Sequence, residues 1–154
     1  MPHKSRHLII LSVLFLAACA SSMTPKANTH DEVVAYVNRA ADVVSKNGPS
    51  CATFAKPEWM AAEWYVFVQE ADGKIVCHPN AQIIGRNVSE IVDANGKHVG
   101  EALQAAGASG HGWVDYVWPR PGQTTPVPKS SYVTSVTGPD GKTYYVGAGG
   151  YELK

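Results

Sequence analysis

The chain has 154 residues and no net formal charge, with 45% of its residues hydrophobic and 17% charged. That is enough apolar material for one packed domain and too much for a disordered chain. It also excludes the basic surface that a phosphate backbone requires, so no nucleic-acid partner is expected.

The first residues read as a leader, not as part of the fold. Lys4 and Arg6 make a basic start, Leu8 to Leu16 an apolar run, and Ala17, Ala18 and Cys19 follow. The run is too short to cross a bilayer as a helix but suits a secretory signal. Leu16-Ala17-Ala18-Cys19 resembles the lipobox of bacterial lipoprotein precursors. The resemblance implies removal of residues 1–18 as a signal peptide and lipidation of Cys19, which would anchor the protein to a membrane. Ala20 and Ser21 follow without an Asp, so the expected address is periplasmic, on the outer membrane and not the inner. An ordinary signal peptide with a coincidental cysteine is the alternative. Residues 19–28 are small and polar and read as a tether before a domain spanning 29–152. Export leaves Cys51 and Cys77 as a pair in an oxidising compartment, where they form one disulfide or remain two buried thiols.

Thr29-His30-Asp31-Glu32 is a capping-box pattern, with acids at the positive end of the helix it opens. Val33, Val37, Ala40 and Val44 form a helical stripe, widened by Val34 and Ala41, and Asn47-Gly48-Pro49 ends it. Phe54 to Ala62 is short and irregular, with Pro57 able to open one turn of helix.

Glu63 to Pro79 reads as a β-hairpin: an aromatic and β-branched run, Asp72-Gly73, and a second short apolar run. A two-residue type I′ turn there needs positive φ at both Asp72 and Gly73 and pairs Ala71 with Lys74. Phe67 then lies opposite His78 and Val68 opposite Cys77. One face carries Tyr65, Phe67 and His78; the other carries Val66, Val68 and Cys77. The first helix's valine stripe suits the second face. After the hairpin, Ser89 to Val92 forms a brief helix at most. Asn95-Gly96 introduces a second amphipathic helix through Val99, Ala102, Leu103 and Ala106, small residues that allow close packing.

The last third is β. Gly112 to Trp118 alternates Val114, Tyr116 and Trp118 with Trp113, Asp115 and Val117. Pro119 through Pro128 is too rich in proline to continue a ladder and reads as a loop. Ser131 to Thr137 and Lys142 to Ala148 are two further strands around Gly138-Pro139-Asp140-Gly141. Helix, two strands, helical connection and three strands describe an α+β domain with an antiparallel sheet.

Tyr65-Val66-Phe67-Val68, Asp72-Gly73-Lys74, His78-Pro79 and Gly85-Arg86-Asn87 resemble the core of single Cache domains, the extracytoplasmic sensor modules. Gly112 to Pro119 is similar to that family's central strand, Pro128 to Val133 and Val146 to Tyr151 to its last two, and the subtype resembled is the second single-Cache group. The resemblance implies a PAS-like fold: a long N-terminal helix on a five-stranded antiparallel sheet, with a ligand cavity on the opposite face. It also implies a small-molecule ligand, often a short organic acid, and no cofactor. No transmembrane run flanks the domain in this sequence, so a signal is expected to pass through a partner protein.

A carboxylate pocket needs a cation or several neutral donors in a mostly apolar wall. Lys129, His78, Tyr65, Tyr116 and Tyr132 can supply the donors, with Phe67 and Trp118 as wall. Each also has a plain reading, as a solvated lysine, a turn-bonded histidine or a packed tyrosine. Lys129 and Tyr132 are three apart and face opposite ways in a regular strand, so both reach one cavity only if the ladder starts after Lys129 or is bulged. Catalysis is not expected. Cys77 and His78 are adjacent on a strand and point apart, and His78, His98 and His111 lack zinc-ligand spacing. The alternative to a sensor is an adaptor lipoprotein that docks a protein partner without a small ligand.

Overall fold

In a computed structural model, residues 28–60 and 63–154 are described. The expected signal peptide, the lipidation site at Cys19 and all but the last residue of the expected tether lie outside the described residues. No helix among the described residues is long and apolar enough to cross a membrane.

The first helix, α1, runs His30–Asn47. Its capping box is formed: the Thr29 hydroxyl accepts from the Glu32 N–H, and the Glu32 carboxylate accepts from the Thr29 N–H at 3.2 Å. Val33, Tyr36, Val37, Ala40, Ala41 and Val44 are its buried face, one turn apart along the helix as the stripe requires. A short helix, α2 (Cys51–Phe54), follows, and a disulfide joins Cys51 to Cys77 across a sequence separation of 26 with the Cα atoms 5.1 Å apart.

Five strands form one antiparallel sheet: β1 (Phe67–Glu70), β2 (Ile75–Cys77), β3 (His111–Pro119), β4 (Pro126–Thr137) and β5 (Thr143–Tyr151), in the order β2-β1-β5-β4-β3. A 3-10 turn (Val88–Glu90) and the helix α3 (Val99–Ala108) lie in the β2–β3 connection. The architecture is the expected PAS-like α+β fold.

The hairpin turn departs from the expected type. Its loop has three residues, Ala71-Asp72-Gly73: the Gly73 N–H donates to the Glu70 carbonyl at 2.9 Å, and the Glu70 N–H donates to the Lys74 carbonyl at 2.8 Å. Gly73 alone is left-handed, at φ 94°. Asp72 stays at negative φ and its carboxylate accepts the Lys74 N–H at 3.2 Å, so the left-handed position falls to the residue that has no Cβ. Gln69 pairs with Ile75, yet Val68 pairs with Cys77, because Val76 is an extra residue on β2. The bulge cancels the displacement made by the longer loop, and the expected division of the faces survives.

β4 begins earlier than the proline content suggests. Pro126, Val127 and Pro128 pair with Pro119, Trp118 and Val117 of β3, while β5 ends opposite Lys129. The prolines thus sit where β4 has one neighbour only, and their missing N–H costs no ladder bond.

Two cores follow from the two faces. Val66, Val68, Cys77, Tyr132, Tyr144, Val146 and Ala148 pack under α1. Tyr65, Phe67, Ile75, Val114, Tyr116, Val133 and Tyr145 pack under α3 and the connection before it. The central strand β5 is buried on both sides and carries Gly147, Ala148, Gly149 and Gly150. A Cβ on Gly149 would stand 2.9 Å from the Ser131 Cα, against backbone that cannot yield. Gly149→Ala is therefore expected to cost roughly 1–3 kcal/mol, at the upper end, read by urea denaturation. Reducing the Cys51–Cys77 disulfide is expected to remove about 3.5 kcal/mol, seen as a lower urea midpoint with dithiothreitol present.

Candidate functional site

The face turned from α1 was expected to be hollow. It is largely filled: α3, the 3-10 turn and Ile83 and Ile91 cover it, leaving a small cavity of about 40 Å³. A cavity needs roughly 10–15 Å³ to admit one water, so this space takes about three, and a longer molecule would extend from it into neighbouring space. Close approach of α3 makes the roof. A Cβ on Gly100 would stand 2.8 Å from the Val88 carbonyl carbon, and one on Gly107 2.6 Å from the Tyr145 ring. A wider cleft of about 690 Å³ adjoins it, sharing Tyr65, His78, Ile83 and Trp118.

Five of the seven residues singled out in the sequence line the small cavity: Tyr65, Phe67, His78, Tyr116 and Trp118. Tyr65 and His78 meet edge to face with centroids 5.2 Å apart, and Tyr116 meets Trp118 at 6.0 Å. Tyr132 does not belong with them. It lies on the α1 side, its ring 5.3 Å from Trp113, because β4 is regular from Lys129 onward and parity sends the two residues to opposite faces. The expected conflict between Lys129 and Tyr132 is thus resolved in favour of the lysine.

Lys129 stands one layer behind the cavity wall. It is 3% exposed, and its ammonium donates to the Tyr65 hydroxyl at 2.7 Å. The Nζ also sits 4.0 Å from the Tyr65 ring centroid, 5.3 Å from that of Tyr151 and 5.8 Å from that of Tyr116. No carboxylate among the described residues pairs with it. Its neighbours cannot become counter-ions near neutral pH. Burial holds the Tyr65 and Tyr116 hydroxyls far above the usual phenol value, and pushes Tyr151 up to about 12. Burial alone pushes Lys129 itself down to about 7.

The other polar groups are held by local hydrogen bonds. The His78 Nδ1 accepts the Asn80 N–H at 3.0 Å, so in the neutral ring the proton sits on Nε2. Burial, then the Lys129 charge, push this imidazole down to about 4, and it is neutral at pH 7. Tyr65 accepts from Lys129. The Tyr116 hydroxyl bonds the Ser131 hydroxyl at 2.8 Å. The arrangement is a donor-rich, electropositive end of an otherwise apolar space, the complement of a small anion.

Sequence reasoning missed Gln69, Ile83, Ile91, Val99 and Leu103 as cavity wall, and Ser131 and Tyr151 as the polar layer behind it. Gln69 was legible from the alternation that placed Tyr65 and Phe67. The walls from the connection were not. No group of three or more His, Cys, Asp or Glu able to hold a metal occurs among the described residues.

The Cache domain family profile matches residues 56–154. A solved Cache chemosensory domain, reported for the structural basis of its carboxylic acid recognition, is 34% identical at a TM-score of 0.52. The match covers 58% of this chain and 60% of that one, so the chain spans less than two thirds of its length. A periplasmic sensor domain of a chemotaxis protein is 30% identical at a TM-score of 0.54, covering 79% of this chain and 89% of that one. A methyl-accepting chemotaxis protein from Vibrio parahaemolyticus, 19% identical over 77% of this chain and 80% of its own, shares the fold at a TM-score of 0.52.

The buried ammonium has a measurable consequence. A lysine whose folded pKa lies below its unfolded value destabilises the protein at low pH, and the unfolded state binds more protons between about 7 and 10.5. Stability of the unliganded protein is therefore expected to rise with pH across that window, by on the order of 5 kcal/mol in all. Lys129→Met removes the charge at similar volume, so it is expected to raise the melting temperature at pH 6 and to flatten the rise.

Proposed function

Because the chain belongs to the Cache domain family, we propose that it is an extracytoplasmic sensing domain that binds a small organic acid and signals through a partner protein. Its ligand is bound without being transformed. The observation that carries this reading is Lys129: a buried ammonium with no carboxylate partner among the described residues, behind a cavity wall that holds Tyr65, His78 and Tyr116. Burying an unpaired charge is costly, and a ligand carboxylate would offset that cost.

Tyr65, His78 and Tyr116 hold the carboxylate in this reading, Phe67 and Trp118 wall its apolar part, and Lys129 supplies the charge through Tyr65. The ammonium donates to the phenol oxygen, which makes the phenol a stronger donor to the anion in front of it. The carboxylic acid recognition reported for the 34% identical Cache chemosensory domain supports the ligand class.

The placement we propose is periplasmic, with residues 1–18 removed, Cys19 lipidated in the outer membrane and residues 19–28 as tether. The Cys51–Cys77 disulfide suits an oxidising compartment, and the 30% identical relative is a periplasmic sensor domain. An adaptor that docks a partner without a small ligand has less support, since it gives no account of the donor-lined cavity.

Isothermal titration with acetate, propionate and butyrate tests the assignment. Binding is expected to take up a proton near pH 7, because the carboxylate favours the charged lysine. Affinity is expected to fall about tenfold per pH unit above 7 until the lysine of the complex itself titrates. The heat should vary with the buffer's ionisation enthalpy in proportion. Absence of binding by every short acid would remove the proposal.

A further inference from the structure

The wall of the cavity under α3 holds a further polar group. Gln69 lies on β1 two residues beyond Phe67, on the same face, between Ile75 of β2 and Tyr145 of β5. It lines the cavity and is 3% exposed. Its side-chain oxygen is wholly buried and has no hydrogen-bond partner among the described residues. A buried amide oxygen without a donor is unfavourable, and buried polar groups are rarely left so. A leucine in the same place would fill the space without that defect. Phe67, Ile75, Val99 and Leu103 are apolar members of the same wall, and no described residue donates to the amide oxygen.

No carboxylate side chain lines this cavity among the described residues. A ligand with an ammonium group would bring an uncompensated cation into a space already beside the Lys129 charge. A hydroxyl or a carboxamide carries no such penalty. Each can donate to the Gln69 oxygen, and rotation of the amide about its last bond lets its N–H groups serve an acceptor instead.

We propose that Gln69 is a specificity-determining residue and that the ligand is a short carboxylic acid bearing a neutral hydrogen-bonding group, a hydroxyl or carboxamide, at the end remote from its carboxylate. This rests on the reading of the cavity as a carboxylate site and adds its second contact. Simple alkyl acids leave the amide unserved; amino acids place a cation where no anion waits.

Titration calorimetry of the full chain with butyrate, γ-hydroxybutyrate and γ-aminobutyrate tests it. The hydroxy acid is expected to bind about tenfold tighter than butyrate, and the amino acid weakest of the three. In Gln69→Leu the first preference is expected to invert, with butyrate now tighter. Equal affinity for butyrate and the hydroxy acid in the unaltered protein overturns the proposal, as does tighter binding of the amino acid or a hydroxyl preference that survives Gln69→Leu. If Gln69→Leu does not fold, the ranking in the unaltered protein decides alone. Butyrate binding that is lost in Lys129→Met, without any hydroxyl preference, would leave the carboxylate site standing and remove Gln69 from it. Failure of all three acids to bind overturns both.

Discussion

A β-strand sends successive side chains to opposite faces, and here both faces of a single sheet are buried. Every other property of the domain follows from that arrangement. β5 lies at the centre, with β1 on one side and β4 on the other, and α1 and α3 above and below. A strand covered on both faces has no solvent side to carry polar groups, and its backbone must admit bulky neighbours. Hence the small residues from Gly147 to Gly150, which let the Phe67 ring and the Ser131 backbone approach closely. The larger side chains of β1, β3 and β4 then meet across that strand, on two sides with different chemistry.

The chemistry differs because the two covers differ. α1 offers a continuous valine and alanine stripe, and the sheet face beneath it is filled by valines, tyrosine rings and the half-cystine Cys77. α3 is shorter and its contact residues are small, so it comes close at Gly100 and Gly107 and leaves space toward β1, β2 and β3. Into that side project the polar groups: the hydroxyls of Tyr65 and Tyr116, the imidazole of His78, the Lys129 ammonium and the Gln69 amide. They are neutral or positive throughout. Charge of one sign and low exposure distinguish this side from the one under α1.

The site is joined to the ends of the domain through β5. Tyr151, wholly buried, places its ring against the Lys129 ammonium and its hydroxyl on the Pro119 carbonyl at 2.7 Å. Its own carbonyl accepts from the Asn28 side chain, and the Asn28 carbonyl accepts from the Lys154 N–H at 2.8 Å. One residue therefore touches both the polar layer behind the cavity and the chain that leads into α1. The cap that starts α1, the end of β5 and the lysine share a single packed neighbourhood.

Local pattern in the sequence determined the first helix, its capping box, and the assignment of Tyr65, Phe67 and His78 to one face and Val66, Val68 and Cys77 to the other. These are properties of periodicity within a few residues, robust enough that a different turn and a compensating bulge left them intact. Tertiary structure alone decided the rest. The sequence showed that Lys129 and Tyr132 could not both face a cavity in a regular strand, but the choice depended on where β4 begins to pair with β3 and β5, a contact between distant segments. The same holds for the closing of α3 over the sheet and for the unserved amide of Gln69. Strand parity could place that residue on the face, while only the packing of five separate segments around it could leave its oxygen without a partner.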